Sequence, residues 1–240
     1  MSDFAASLAT AATLITDAEP HLVQTVALSL QVSGTATVIG AAVGLTAGAA
    51  LAVARFPGQG ALVAAINTTL AMPSVVLGLV VYLLLSRAGP LGHWGILFTP
   101  PAMVIAQSLL VVPLVAVLAR RLVLSALAEG GDQLRSLGAG PLASAALLLV
   151  HERFGVLTVV LTAFGRAISE VGAVMIVGGN IDGVTRVMTT TIALETSKGD
   201  LPLALALGLV LLAVVAALNA VIGLLQLRQR WRGAPAEAWA

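Results

Sequence analysis

The sequence predicts an all-α integral membrane protein with about five transmembrane helices. Three observations carry that reading: 59% of the 240 residues are hydrophobic, only 10% are charged, and the apolar residues gather into long runs without a charge. A soluble domain carries roughly 25% charged residues. A hydrocarbon layer about 30 Å thick takes roughly 20 apolar residues per helical span, so 240 residues hold several spans and no sizeable soluble domain.

Residues 24–54 form the first uncharged run, closed by Arg55 and the turn residues Pro57, Gly58 and Gly60. Residues 61–86 give a second span containing Pro73 and ended by Arg87, Gly89 and Pro90. Residues 101–119 give a third, containing Pro113 and stopped by Arg120 and Arg121. Residues 154–179 and 201–227 are the fourth and fifth. Residues 4–16 are apolar but too short to cross, which predicts an interfacial or extracytoplasmic helix. The chain thus divides into an N-terminal segment 1–23, a membrane domain 24–227 that includes a loop 122–153, and a tail 228–240.

Five spans place the two termini on opposite sides. Arg55, Arg120, Arg121, Arg135, Arg153, Arg228, Arg230 and Arg232 fall in one set of loops, and Arg87, Arg186 and Lys198 in the other. Positive residues concentrate on the cytoplasmic side. The expected C-terminus is therefore cytoplasmic, in a multi-pass protein of the inner membrane. No Lys or Arg precedes Arg55, so the start lacks the basic region of a cleavable signal peptide.

The same composition removes several functions. Cysteine is absent, which excludes disulfides, thiolate metal sites and a Cys nucleophile. A net charge of +1 argues against nucleic-acid binding. His21, His93 and His151 stand far apart with no metal-ligand spacing, and no catalytic constellation is visible. No GxxxxGK[ST] loop is present, so ATP hydrolysis by P-loop chemistry would need a separate subunit. No cofactor is implied.

Within the spans, Gly40, Gly44 and Gly48 repeat on one helical face and predict close helix packing. Pro73 and Pro113 interrupt their spans and suggest a bundle around a pathway. Arg166 and Glu170 lie one turn apart inside the fourth span, where each would cost about 2.5 to 3.5 kcal/mol if unpaired. They read either as a structural ion pair or as lining the pathway or its gate together with Ser169, with Arg166 attracting a dianion. Asn67, Gln107 and Asn219 read as helix-to-helix hydrogen bonders.

The loop 122–153 is too apolar for a disordered linker and too interrupted for a span. Residues 132–137 read as a short helix with Asp132 at its start, Gly138-Ala-Gly140 as a turn, and Pro141 as the first residue of a second helix running on to Val150. On physical grounds this is equally an amphipathic helix on the bilayer surface or a docking element. Residues 180–200 join the last two spans on the outer side.

Asp132, Gly138 and Leu148-Leu-Val150 stand where importer permeases of the ATP-binding-cassette class carry the Glu-Ala-Ala, Gly and Ile-x-Leu-Pro signature of their cytoplasmic loop. Asp132-Gln133-Leu134 replaces Glu-Ala-Ala and His151 replaces the closing Pro, with the six-residue spacing from acid to glycine kept. Gly165-Arg-Ala-Ile-Ser-Glu-Val-Gly-Ala-Val-Met175 and Gly178-Gly-Asn-Ile181 resemble the signature of molybdate and tungstate permeases. Thr185-Arg-Val-Met-Thr-Thr190 and the segment 192–199 are closer to the tungstate branch. The resemblance implies a MetI-like fold, a homodimer, and an ATP-driven importer of an oxyanion, tungstate first, with molybdate or sulfate as alternatives. It also implies that Asp132, Gln133, Leu134, Gly138, Ala139 and Leu142 couple the chain to an ATPase subunit. Asn180, Thr185 and Arg186 would then face an extracytoplasmic tungstate- or molybdate-binding protein. A passive channel or scaffold keeps the five spans without a motor, and an intramembrane enzyme would have only Arg166 and Glu170 to work with.

Overall fold

The computed structural model describes residues 2–233, with side chains over 6–227 apart from Arg135. Tail residues 234–240, and the side chains of Arg135, Arg228, Arg230 and Arg232 that entered the charge comparison, lie outside the described residues. The described chain is helical throughout its regular elements, with no strand among the described residues. Helix α1 covers Ser2–Thr16, α2 Pro20–Val53, α3 Gln59–Leu70, α4 Ser74–Leu85, α5 Pro100–Ser136, α6 Pro141–His151, α7 Arg153–Ile168, α8 Gly172–Gly178, α9 Met188–Lys198 and α10 Leu201–Gly233. A single 3-10 turn at Gly92–Trp94 lies between α4 and α5.

Helices α2, α5 and α10 are each long and apolar enough to cross a membrane alone, and the number of spans rises to five when two bent pairs, α3 with α4 and α6 with α7, each count as one. The first and fifth expected spans are α2 and α10. Helix α2 starts where Glu19 accepts a hydrogen bond from the Leu22 N–H at 2.7 Å and Pro20 occupies the first turn, which needs no donor there. It ends before Arg55, in a turn whose Gly58 has φ 88°.

The fold is held along the contact between α2 and α5. The buried face of α2 runs through Thr25, Ser29, Val32, Ala36, Gly40, Gly44 and Gly48, small residues that let a neighbour approach. A Cβ added at Gly44 would lie 2.6 Å from Val115 Cβ, and one at Gly48 would fall on the Ala116 carbonyl oxygen. The contacts rise together in both helices, Gly40 on Val111 and Gly48 on Ala119, so α2 and α5 run parallel. The glycine stripe therefore serves packing, as its spacing suggested.

The second span is interrupted at Pro73, as its position suggested: α3 stops at Leu70 and α4 starts at Ser74 after a bend of 100°. Pro73 has no N–H to donate and crowds the residue before it, so the helix cannot run through. Three other expectations need correction, the first being that Pro113 interrupts its span, for it lies inside α5 without ending it. The third span does not stop at Arg120-Arg121, for α5 continues 37 residues to Ser136. Asp132 is thus in the last turns of a long helix rather than at the start of a short one. Nothing between Arg121 and Ala128 breaks a helix; the arginines end the hydrocarbon, not the backbone ladder. The fourth span also breaks, because α7 ends at Ile168 and α8 resumes only at Gly172.

The connection 180–200 holds helix α9, whose Thr189, Thr190, Thr191 and Glu195 are buried. Its start is fixed by reciprocal bonding, with Thr190 Oγ1 accepting from the Val187 N–H at 3.1 Å. Met188 N–H donates to Ser29 Oγ at 2.7 Å, tying α9 to α2. Met188 then packs with Leu22, Ile168 and Leu207 in one apolar cluster that Leu14 and Ile15 of α1 cover.

Candidate functional site

Two interrupted spans meet at one place. Gly172 opens α8, and a Cβ there would come 2.6 Å from Val75 Cγ2 and 2.9 Å from Ser74 Oγ in the first turn of α4. One turn further, a Cβ on Gly78 would come 2.8 Å from Ala173 Cα. Absence of these two side chains lets α4 and α8 lie against each other from their first turns. The backbone N–H groups at their starts have no intrahelical acceptors, so the junction attracts a negative group.

Glu170 supplies it, at 4% exposure. Its Oε2 accepts from Arg166 Nη1 at 2.6 Å, its Oε1 accepts from the Ala173 N–H at 3.2 Å, and Ser74 supplies a further side-chain hydrogen bond. The Glu170 carbonyl accepts from Thr189 Oγ1 at 2.7 Å. Gln107 Nε2 donates to the Ala167 carbonyl at 2.9 Å, beside the Glu170 N–H that donates to the same oxygen at 3.1 Å where α7 stops. Five helices, α4, α5, α7, α8 and α9, therefore converge on the break at residues 169–171.

The two charges are not placed alike. The Glu170 side chain is 3% exposed, whereas that of Arg166 is 47% exposed. The carboxylate is fixed in the protein, and the guanidinium is neutralised on one side and open on the other. Such a pair can meet an anion transiently without holding it as an unpaired arginine would. Ser169 is exposed beside them. The Oε1 atom of Gln107 is buried without a partner one helix away.

Sequence reasoning found Arg166, Ser169, Glu170 and Gln107. It missed Ser74 and Thr189, whose only advance signals were a hydroxyl directly after Pro73 and a run of threonines. Asn219, expected to bridge helices, instead donates to Val215 of its own helix at 2.9 Å.

At the C-terminal end of α8, Asn180 has φ 50° after Gly179 at 71°, so the chain leaves the helix through a left-handed turn. Thr185 is fully buried: its Oγ1 donates to the Gly178 carbonyl at 2.6 Å and accepts from the Ile181 N–H at 2.9 Å. It shapes the loop from inside and offers no surface. Asp182 is exposed and bridges His21 at 2.8 Å and Arg186 at 3.0 Å. The His21 hydrogen bond, then the Arg186 charge, holds the Asp182 carboxyl below its ordinary value. This tie is present above the ordinary carboxylate pKa and is lost as pH falls through the lowered one.

At its own C-terminal end, α5 closes with the Ala139 N–H bonded to the Leu134 carbonyl at 3.0 Å around Gly138 at φ 79°. This is a Schellman closure, in which glycine takes the left-handed position. Gly140 and Pro141 then start α6, as the sequence indicated. Asp132 and Gln133 are exposed, Leu134 is half-buried, Ala139 is partly covered, and Leu142 is 69% exposed. Leu137 is 82% exposed beside it. No cluster of His, Asp and Glu suited to a metal occurs among the described residues.

No family model matches the sequence. Individual relatives do. The chain is 46% identical over 213 residues to a tungstate uptake system permease protein TupB of Peptoclostridium acidaminophilum, covering 89% of this chain and 93% of the relative. It is 43% identical over 207 residues to a probable anion ABC transporter permease protein of Haloferax volcanii, covering 84% and 89%. A sulfate transport system permease protein CysW of Synechocystis is 34% identical over 192 residues, covering 75% and 66%.

Proposed function

The chain belongs to the ABC transporter permeases of the molybdate and tungstate importer group, and from that premise we propose that it is the membrane subunit of an ATP-driven tungstate importer. Two copies enclose the pathway in a MetI-like arrangement, separate ATP-binding-cassette subunits hydrolyse ATP, and an extracytoplasmic binding protein delivers the oxyanion. One observation carries the transport reading: a buried Glu170 and a half-exposed Arg166 sit where two interrupted spans meet. The choice of tungstate over sulfate rests on the 46% identity to a tungstate permease against 34% to a sulfate permease.

The mechanism follows from placement. The outer loop with Asn180, Asp182 and Arg186 receives the loaded binding protein, Arg166 presents positive charge to the passing dianion, and Glu170 limits how tightly the ion is held. The turn at Gly138, with Asp132, Gln133, Leu134, Ala139 and Leu142 around it, docks on the ATPase in the cytoplasm. Exposed Leu137 and Leu142 give that contact its apolar area. The test is ATP hydrolysis by the complex reconstituted in vesicles: tungstate-loaded binding protein stimulates it more than sulfate-loaded protein does. Equal or greater stimulation by sulfate rejects the assignment.

Two further results are expected. A reporter fused behind Ala240 is active only in the cytoplasm; activity outside overturns the orientation. Gly138→Val places a branched side chain at φ 79°, a strain of about 1–3 kcal/mol, although a Cβ there meets no atom within 4 Å. The variant inserts normally but recovers less ATPase on purification, or transports less tungstate per ATP. Wild-type values for both quantities would remove the turn from coupling.

A further inference from the structure

A cavity of about 770 Å³ opens between the ends of α5 and α10 and the α6–α7 junction. Leu118, Leu122 and Val159 form its apolar part, and Glu129, Glu152 and Arg153 its charged part. The same two carboxylates border an adjoining cavity of about 410 Å³ between α5 and α6. Among the described residues no ion pair joins Arg153 to either of them. The guanidinium instead lies 5.2 Å from the Phe154 ring centroid. Opposite charges thus share one cavity without neutralising each other.

Arg120 and Arg121 lie on α5 between Leu118 and Glu129. Arginines flanking an apolar stretch sit at the headgroup level of a bilayer. Along α5, Leu118 therefore lies on the hydrocarbon side of that level, Leu122 at it, and Glu129 on the water side. Two carboxylates against one guanidinium, with the His151 imidazole beside them, disfavour a free anion or an anionic headgroup. They suit a ligand that carries an ammonium and a phosphate together, on an apolar tail. The volume falls within the range of about 300–1,000 Å³ usual for small-molecule sites.

We propose that this cavity binds a phospholipid with a primary-amine zwitterionic headgroup, its ammonium between Glu129 and Glu152, its phosphate toward Arg153 and an acyl chain along Leu118, Leu122 and Val159. An ethanolamine headgroup offers N–H donors to the carboxylates, whereas a choline headgroup offers none. The site is independent of the ion transported.

The test uses the full-length chain, purified and equilibrated with mixed micelles holding equal mole fractions of phosphatidylethanolamine, phosphatidylcholine and phosphatidylglycerol, with retained lipid counted by native mass spectrometry. Phosphatidylethanolamine is retained over both phosphatidylcholine and phosphatidylglycerol by about tenfold, the order expected from charge-assisted hydrogen bonds. Glu129→Gln with Glu152→Gln removes that preference, and Arg153→Gln lowers retention of both zwitterionic lipids. Equal retention of the three lipids by the unaltered chain overturns the proposal without depending on any variant. So does an unchanged preference in the double variant, or loss of the lipid when an ATP-binding subunit is added, which would make the cavity a protein interface.

Discussion

Replacing Glu170 with alanine is expected to abolish transport and to lower the stability of the purified protein. The substitution leaves the Ala173 N–H and the Ser74 hydroxyl without their acceptor, each a loss of about 1–3 kcal/mol when buried. It also leaves Arg166 in an interrupted span with no counter-charge, a cost of about 2.5–3.5 kcal/mol on insertion scales, reduced here by its partial exposure. Glu170→Gln keeps the volume and one acceptor, so it recovers part of the stability and none of the charge. Removing both partners, Arg166→Met with Glu170→Gln, falls closer to wild type in stability than Glu170→Ala alone, because no uncompensated charge remains. Thermal unfolding in detergent and tungstate uptake in vesicles separate the two effects. A Glu170→Ala protein that is as stable and as active as wild type would leave the junction without a role.

A comparable loss is expected from Gly48→Val, by steric means. The new Cβ falls on the Ala116 carbonyl oxygen and 2.9 Å from Ala119 Cβ, so backbone and not a flexible side-chain end must yield. Overpacking costs about 1–3 kcal/mol and more when backbone has to move. Gly34→Val is the control, since a Cβ at Gly34 meets nothing within 4 Å on the same helix. Unfolding temperature should drop for Gly48→Val and change little for Gly34→Val. Equal behaviour of the two would mean that α2 and α5 are not held at this distance by the glycine stripe.

The parts of the fold legible in advance were those set by solvent and by spacing. Uncharged runs locate α2 and α10, Gly40, Gly44 and Gly48 locate a packing face, and Gly138 with Pro141 locates a turn. The continuation of α5 past Arg121 was hidden because charge marks where hydrocarbon ends, and a helix leaving the membrane needs no further signal. The break at residues 169–171 was hidden for the opposite reason: Ser169 and Val171 are compatible with a helix, and only tertiary bonds from Ser74, Ala173 and Thr189 make the interruption stable. Burial of α9 was equally silent, as polar threonines read as loop until their hydroxyls find backbone partners. Arg166 and Glu170 stood out because charge inside an apolar run is costly, but which of the two is enclosed could only come from packing.

Helix α5 runs unbroken from Pro100 to Ser136, and its length has a mechanical meaning. Between Gln107, bonded to the end of α7, and Asp132, beside the Gly138 turn, lie 25 residue steps, or about 37 Å at 1.5 Å per residue. Hydrogen-bonded helix is stiff along its axis, so if the turn docks on an ATPase as proposed, a push there would reach Gln107 as a displacement, with no loop between to absorb it. The member is a pushrod whose far end is pinned to the carbonyl of Ala167, three residues from Glu170. Pro113 lies inside this helix without the N–H that its turn would use, and it is where such a rod would flex.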